Sequence, residues 1–259
     1  MGGLGNQLFI WAYGRGLRAN GYDVSYDTTA FTHNSHRQYC LAPFDDLQID
    51  NTSRKETYEG DHGFHPEALH PADGSKMVGY WQTERYFEGL ADKLRSEINF
   101  RWMQNPLTGH AREIEKEIYR TNGTFLHVRR QDYLNLRHYN GILDMAYYQS
   151  AINLLSEKIS SNPKIFVFSD DREWCRQNFP ADFTIVDGTN LQEDIRLMAG
   201  CKHAIASNST FGWWAAWIGD NQSGRIVIAP DRWFTDPNMN GQDLIPARWT
   251  QILSVWSQA

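Results

Sequence analysis

From residue 124 onward, short apolar runs alternate with segments of helical period. Five runs read as strands: 124–130, 164–170, 183–187, 203–208 and 225–230. Near-continuous apolar runs bounded by turn residues are what a parallel strand buried on both faces requires. Between them, helical patterns cover 145–160, 171–178 and 189–200, and a Trp-rich one begins at Thr210. Thr189 with Gln192 reads as a capping box opening the third of these. Strands that alternate with helices predict an α/β fold, a parallel sheet with helices on both faces.

The first half is less regular. Helical patterns fit 6–20, 84–97 and 110–121, and a strand fits 76–80. The stretch 28–75 is rich in His, Asp, Thr and Gly and predicts long loops. The opening Gly2-Gly3-Leu4-Gly5-Asn6 reads as the turn that follows a strand, so the first domain is expected to lack its first strand. Pro106 and Gly109 punctuate the passage between the halves, placing a boundary between about 105 and 123. Domains of 1–115 and 116–259 are the expectation.

Composition narrows the field. At 259 residues, 41% hydrophobic and 22% charged, the chain can bury an ordinary core. A net charge of -6 speaks against sequence-independent nucleic-acid binding, which needs a basic face. Cys40, Cys175 and Cys201 form no CxxC pair, so a reducing compartment is expected. No run of about 18 apolar residues occurs and no signal-peptide pattern is seen. A cytoplasmic setting, with any membrane contact peripheral, is the expectation. The ten Trp suit either sugar rings or the core.

Parallel sheets bind ligands beyond the carboxyl ends of their strands. Those ends carry His127, Arg129, Arg130 and Asp132, then Ser169, Asp170 and Asp171, then Asn208, Ser209 and Thr210. Arg129 and Arg130 present rigid donors that match phosphate oxygens, whereas an isolated Arg pair is by default a surface salt bridge. Asn208-Ser209-Thr210-Phe211 precedes a helix, and helix starts bind phosphate as well as wanting a Ser or Thr cap. Asp170 and Asp171 suit hydrogen bonds to a purine or ribose, or a cap on the helix at Arg172; one Asp for each task is expected. The glycines of Gly2-Gly3-Leu4-Gly5-Asn6-Gln7 allow close backbone approach, with Asn6 and Gln7 offering amides. No Asp-x-Asp occurs, and His33/His36 and His62/His65 read as solvated loop pairs, so no metal is expected.

Five motifs carry a resemblance. They are Gly2-Gly3-Leu4-Gly5-Asn6-Gln7-Leu8-Phe9, Gly79-Tyr80-Trp81-Gln82-Thr83-Glu84-Arg85-Tyr86-Phe87, His127-Val128-Arg129-Arg130-Gln131-Asp132-Tyr133, Phe168-Ser169-Asp170-Asp171 with Trp174, and Asn208-Ser209-Thr210-Phe211-Gly212-Trp213-Trp214. In this order they resemble the α-1,2-fucosyltransferases of glycosyltransferase family 11. The resemblance implies a GT-B-like architecture, two Rossmann-like domains facing across a cleft, the N-terminal one on the acceptor side. It implies inverting, metal-independent transfer of L-fucose from GDP-fucose to the 2-hydroxyl of a terminal galactoside on an oligosaccharide or glycolipid. No cofactor is implied beyond that donor. By the same resemblance, His127 and Asp170 or Asp171 face guanine, Arg129 meets the diphosphate, and Ser209, Thr210 and Phe211 hold the β-phosphate. Asn6 sits near the reacting centre, with Gly3 and Gly5 beside the donor. In the mechanism this suggests, Arg129 and Arg130 stabilise the departing charge, the general base is Asp132 or an acidic or His residue of the first domain, and the other role open to Asp132 is to orient the Arg pair. The chain departs from the pattern at Gln131, where Gly is usual, at Gly212, where Ser is usual, and at Ile10-Trp11, where Gln-Tyr is usual. The rival readings are a GT-B transferase of another donor or linkage, and a glycan-binding protein without catalysis.

Overall fold

A computed structural model describes residues 2–32, 38–44, 46–103, 105–134 and 139–257. The chain divides into two compact units. Met1–Gln104 and Met239–Pro246 form one; Asn105–Asn238 and Ala247–Ala259 form the other.

The first unit opens directly on helix α1, Leu4–Ala19, with Gly3 at its N-cap. Its C-terminus closes as a Schellman motif: the Gly21 N–H donates to Arg18 O and the Tyr22 N–H to Leu17 O. Gly21 takes φ 91°, a conformation that glycine adopts without a Cβ penalty. Leu4, Leu8, Phe9, Trp11, Ala12, Tyr13 and Leu17 are all buried. A short helix α2, Thr29–Thr32, follows. Strand β1, Glu56–Tyr58, then pairs in parallel with β2, Lys76–Val78. The loop expectation for 28–75 missed β1, because that strand is exposed along its whole length and carries no apolar alternation. The helix expected over 84–97 is broken: 3₁₀ turns at Glu84–Tyr86 and Glu88–Leu90 precede α3, Ala91–Ile98.

The second unit begins with α4, Gly109–Thr121, capped by the Thr108 hydroxyl. It then builds a six-stranded, wholly parallel sheet. The strands are β3, Thr124–Val128; β4, Ile165–Ser169; β5, Thr184–Ile185; β6, His203–Ile205; β7, Val227–Pro230; and β8, Thr250–Ile252. The linking helices are α5, Gln131–Leu134; α6, Met145–Ile159; α7, Arg172–Asn178; α8, Leu191–Gly200; and α9, Thr210–Ile218. β8 was not expected, because Thr250-Gln251-Ile252 is short and polar, as edge strands often are. The capping box of α8 also shifts by one residue. Asn190 Oδ1 accepts the Gln192 and Glu193 N–H groups, and Glu193 Oε2 accepts the Asn190 N–H. Thr189 bonds Asp194 instead. Asn190 wins because it stands three residues before a carboxylate long enough to reach back.

The sheet order is β5-β4-β3-β6-β7-β8. The chain moves outward from β3 to β5, then crosses back through α8 to β6 on the other side of β3. That reversal creates a switch point at β3 and β6, where a parallel sheet opens a crevice beyond its carboxyl ends. Leu126 and Val128 point into one core layer, with Tyr147, Tyr148, Ala151 and Leu155 of α6. Their neighbours in sequence point to the opposite face.

Candidate functional site

The register decides which residues meet at the switch point. Val128 lies opposite Ser169, so Arg129 and Arg130 leave the sheet beside Asp170 and Asp171. The Asp170 carboxylate closes the turn between them. Its Oδ1 accepts the Arg130 N–H at 2.9 Å and its Oδ2 the Gln131 N–H at 3.1 Å. Oδ2 also pairs with Arg129 Nη1 at 3.2 Å. Asp171 caps α7, its Oδ1 accepting the Trp174 N–H, while its Oδ2 pairs with Arg130 Nε at 3.2 Å. The Asp171 N–H in turn donates to Ser169 Oγ. The Arg130 guanidinium lies 4.1 Å from the centre of the Trp174 ring, a contact that holds its plane. Arg129 is the more exposed of the pair and also binds Asp132. Charge-assisted bonds of this kind set the direction of a guanidinium as well as its energy.

The β6 side is built from the polar run at its end. Ser207 Oγ lies 2.9 Å from His127 Nδ1. Tyr133 of α5 donates its hydroxyl to Asn208 O at 2.9 Å, tying the turn after β3 to the turn after β6. Asn208 Nδ2 donates to Asn140 O at 2.6 Å and Trp233 O at 3.1 Å, so two further loops are fastened beneath it. Tyr147 supports the same end through a 2.6 Å bond from its hydroxyl to Ala206 O. Ser209 is the N-cap of α9, yet its side chain makes no capping bond. The first helical bond runs from the Trp213 N–H to Ser209 O, so the first-turn N–H groups of 210–212 face out of the helix start. Arginine side chains and a helix start thus border one end of one sheet, which is the chemistry of an anion site.

Each expected residue finds a definite place. Arg129, Arg130, Asp170, Asp171 and Ser209 lie on the turns that follow β3, β4 and β6, Asp132 lies in α5, and Thr210 and Phe211 open α9. Asp132 pairs with Arg129. His127 is 4% exposed and lies beneath α9, its ring 5.9 Å from that of Phe211. Burial, with the Arg129 charge nearby, pushes its imidazole down to about 3, so the ring is neutral at ordinary pH. Gly212 is what lets α9 come so close: a Cβ there would stand 2.7 Å from His127 Nδ1. Tyr133 and Trp174 fasten the turns from outside the expected site list; a partner 75 residues away, as Asn208 O is for Tyr133, leaves no periodic signal.

In the first unit, Gly3 caps α1 and Gly5 is buried in its first turn. Asn6 Oδ1 accepts Gln82 Nε2 at 3.0 Å. Gln7 corrects the expectation that it offers its amide to a ligand. It is 3% exposed, its Nε2 donates to Gly2 O and Gln38 O, and its Oε1 accepts the Cys40 N–H. His33 and His36 lie outside the described residues. His65 pairs with Asp61 at 2.7 Å, and among the described residues no group of three or more His, Cys, Asp or Glu is arranged to hold a metal ion. No helix among the described residues is long and apolar enough to cross a membrane. Trp213, Trp214 and Trp217 are fully buried, so the Trp-rich stretch is core and offers no platform for a sugar ring.

Residues 75–253 match the family model described as Glycosyl transferase family 11. Among similar proteins, the Escherichia coli alpha-1,2-colitosyltransferase is 30% identical over 293 aligned residues, covering 97% of this chain and 96% of its own length. The Escherichia coli O-antigen biosynthesis glycosyltransferase WbnK is 36% identical over 125 residues, 45% of this chain and 41% of its own length. The Bos taurus galactoside alpha-(1,2)-fucosyltransferase 1 is 32% identical over 163 residues, 55% of this chain and 43% of its own length. The chain therefore spans nearly all of the first and less than half of each of the others.

Proposed function

Because this chain belongs to glycosyl transferase family 11 and is a glycosyltransferase of nucleotide-sugar donor and glycan acceptor, we propose that it transfers L-fucose from GDP-fucose to the 2-hydroxyl of a terminal galactoside, with inversion and without a metal. The observation that carries this reading is the Arg129–Arg130 turn, held by Asp170 beside the start of α9 at the sheet's switch point. As the fucosyl–phosphate bond breaks, positive charge grows on the sugar and negative charge on the leaving GDP. In this scheme Arg129, Arg130 and the helix start at Ser209 and Thr210 meet that negative charge, and donors fixed in advance by their aspartate partners need little rearrangement at that moment. The acceptor hydroxyl attacks from the opposite face of the sugar, which inverts the anomeric carbon.

Asp132 orients Arg129 in this scheme, and Asp170 holds the turn that aims both arginines. Neutral His127 supports the end of β6 through Ser207. Asn6 is the residue of the first unit that the family pattern assigns to the reacting sugar. With guanidinium groups and a helix start meeting the diphosphate, the reaction needs no divalent ion to neutralise it.

A second donor has a specific observation in its favour. The relative aligned over 96% of its own length is named for colitose, which is L-fucose lacking the 3-hydroxyl. The deciding experiment offers GDP-fucose, GDP-colitose, GDP-mannose and UDP-galactose with lactose as acceptor, with and without EDTA, followed by methylation analysis of the product. A 2-linked fucosyl product at equal rate in EDTA is expected. Exclusive use of GDP-colitose corrects the donor, and turnover with UDP-galactose alone sinks the reading. Loss of rate in EDTA that added Mg²⁺ restores overturns metal independence. Calorimetric binding of free glycan with no binding of GDP would make the chain a lectin.

A further inference from the structure

The two arginines at the switch point are held in different ways. Arg129 engages a carboxylate at each terminal nitrogen, Asp170 at Nη1 and Asp132 at Nη2. Arg130 uses Nε instead, which donates to Asp171 Oδ2 at 3.2 Å. Its Nη1 and Nη2 meet no hydrogen-bond partner among the described residues. The N–H groups on those two nitrogens lie in one plane and can take two phosphate oxygens at once, provided the plane is fixed.

Trp174 fixes it. Arg130 Cζ lies 4.1 Å from the centre of its ring, inside the range in which an aromatic face attracts a cation. Trp174 is itself held. Its N–H donates to Asp171 Oδ1 at 3.2 Å, so one carboxylate fastens the Trp174 backbone through Oδ1 and the Arg130 side chain through Oδ2. Its ring packs edge to face with Phe179, centres 5.9 Å apart and planes at 88°, and Phe179 belongs to the buried layer of Tyr148 and Cys175. The Arg130 and Asp171 side chains are only 13% and 21% exposed, and a cation over a ring is worth more when shielded from water than on an open surface. The carboxylate holds the guanidinium at one atom; the ring holds its face. We propose that Trp174 is a positioning residue for the transfer reaction, fixing the plane of Arg130 so that Nη1 and Nη2 are presented to the phosphate groups of the nucleotide donor. This rests on the reading that places the leaving diphosphate at the arginine turn. Because the ring acts only through Arg130, a ligand without phosphate gains nothing from it.

Trp174→Met and Trp174→Phe test it. Met fills space without a ring face, and Phe keeps a smaller one. Binding of GDP is measured by calorimetry and that of guanosine by competition with GDP. The melting temperature is recorded, and kcat/KM is taken with lactose and the donor the unaltered enzyme uses. Trp174→Met should weaken GDP binding and lower kcat/KM, each about 5- to 30-fold, the change that corresponds to losing a shielded cation–π contact. Guanosine binding and the melting temperature should change little. Trp174→Phe should recover most of the loss. In an Arg130→Ala background Trp174→Met should add no further loss, because the group it positions is gone. An unaltered protein that binds no GDP overturns the reading and the inference together, as does an Arg130→Ala variant with parental GDP affinity and activity. An impaired Arg130→Ala beside a Trp174→Met of parental affinity and activity overturns the inference alone. So do equal losses for GDP and guanosine, a Trp174→Phe as impaired as Trp174→Met, losses that multiply in the double variant, or losses that only follow the melting temperature.

Discussion

Replacing Asp170 with alanine strikes the joint that aims both arginines, and its cost can be worked from the contacts. The substitution removes the acceptor of the half-buried Arg130 N–H at 2.9 Å, of the exposed Gln131 N–H at 3.1 Å, and the Arg129 pairing at 3.2 Å. A buried N–H left without an acceptor costs about 1–3 kcal/mol. Water replaces the Gln131 bond at little cost. The Arg129 pair, with side chains 24% and 18% exposed, is worth about 0–1 kcal/mol after screening. The total runs from about 1 to 4 kcal/mol with a midpoint of about 2.5, and at about 1.36 kcal/mol per decade that is roughly a 70-fold loss of the aimed turn. Because the turn binds the leaving diphosphate in this scheme, Asp170→Ala should weaken GDP binding by calorimetry and lower kcat/KM, each by about that factor. Asp170→Asn keeps an oxygen for the Arg130 N–H but sets an NH₂ group against the Gln131 N–H, so it should fall between. An Asp170→Ala protein that folds, binds GDP as tightly as before and keeps its kcat/KM would refute the claim that this carboxylate aims the arginines.

Other expectations follow from the same geometry. Arg129→Ala should lower turnover roughly 10²–10³-fold, as for loss of one preorganised donor to a developing anion; unchanged turnover removes Arg129 from the role. His127 carries a pH signature. Its imidazole is held near 3 in the fold against 6.5 when unfolded, so the unfolded chain binds the extra proton between those values. Stability from this group is therefore complete above about pH 6.5 and declines as pH falls toward 3, by up to about 1.4 kcal/mol per pH unit. Urea unfolding of His127→Gln should show a shallower loss between pH 6.5 and 4 than the parent, and parallel curves would contradict the burial argument. Gly212→Ser places a Cβ 2.7 Å from His127 Nδ1 in a packed layer. Overpacking costs about 1–3 kcal/mol and outweighs the helix-propensity gain of about 0.5 kcal/mol, so the melting temperature should fall; a rise would show that His127 gives way freely.

Much of the second unit was legible along the chain. A parallel strand covered on both faces must be apolar throughout, and β3, β4 and β7 announce themselves in that way. The strand ends then named the arginine pair, the two aspartates and the Ser-Thr helix start. Strands that escape this rule escaped notice: β1 is exposed and β8 lies at a sheet edge, so neither needs an apolar pattern. The return of 239–246 to the first unit is likewise silent in sequence, because nothing local records which unit a segment packs against.

What sequence determined by itself, then, was the succession of elements and the kinds of group at their ends. Periodicity and cap chemistry are local, acting over a few residues. Partners were decided by the tertiary structure. That β6 returns beside β3, that Asp170 closes the turn at Arg130 and Gln131, that His127 faces α9, and that Gln82 takes hold of Asn6 all depend on contacts between residues 39 to 85 positions apart. Such contacts are selected by sheet register and by the packing of whole elements, and a side chain's donors and acceptors do not reveal in advance which neighbour the fold will supply.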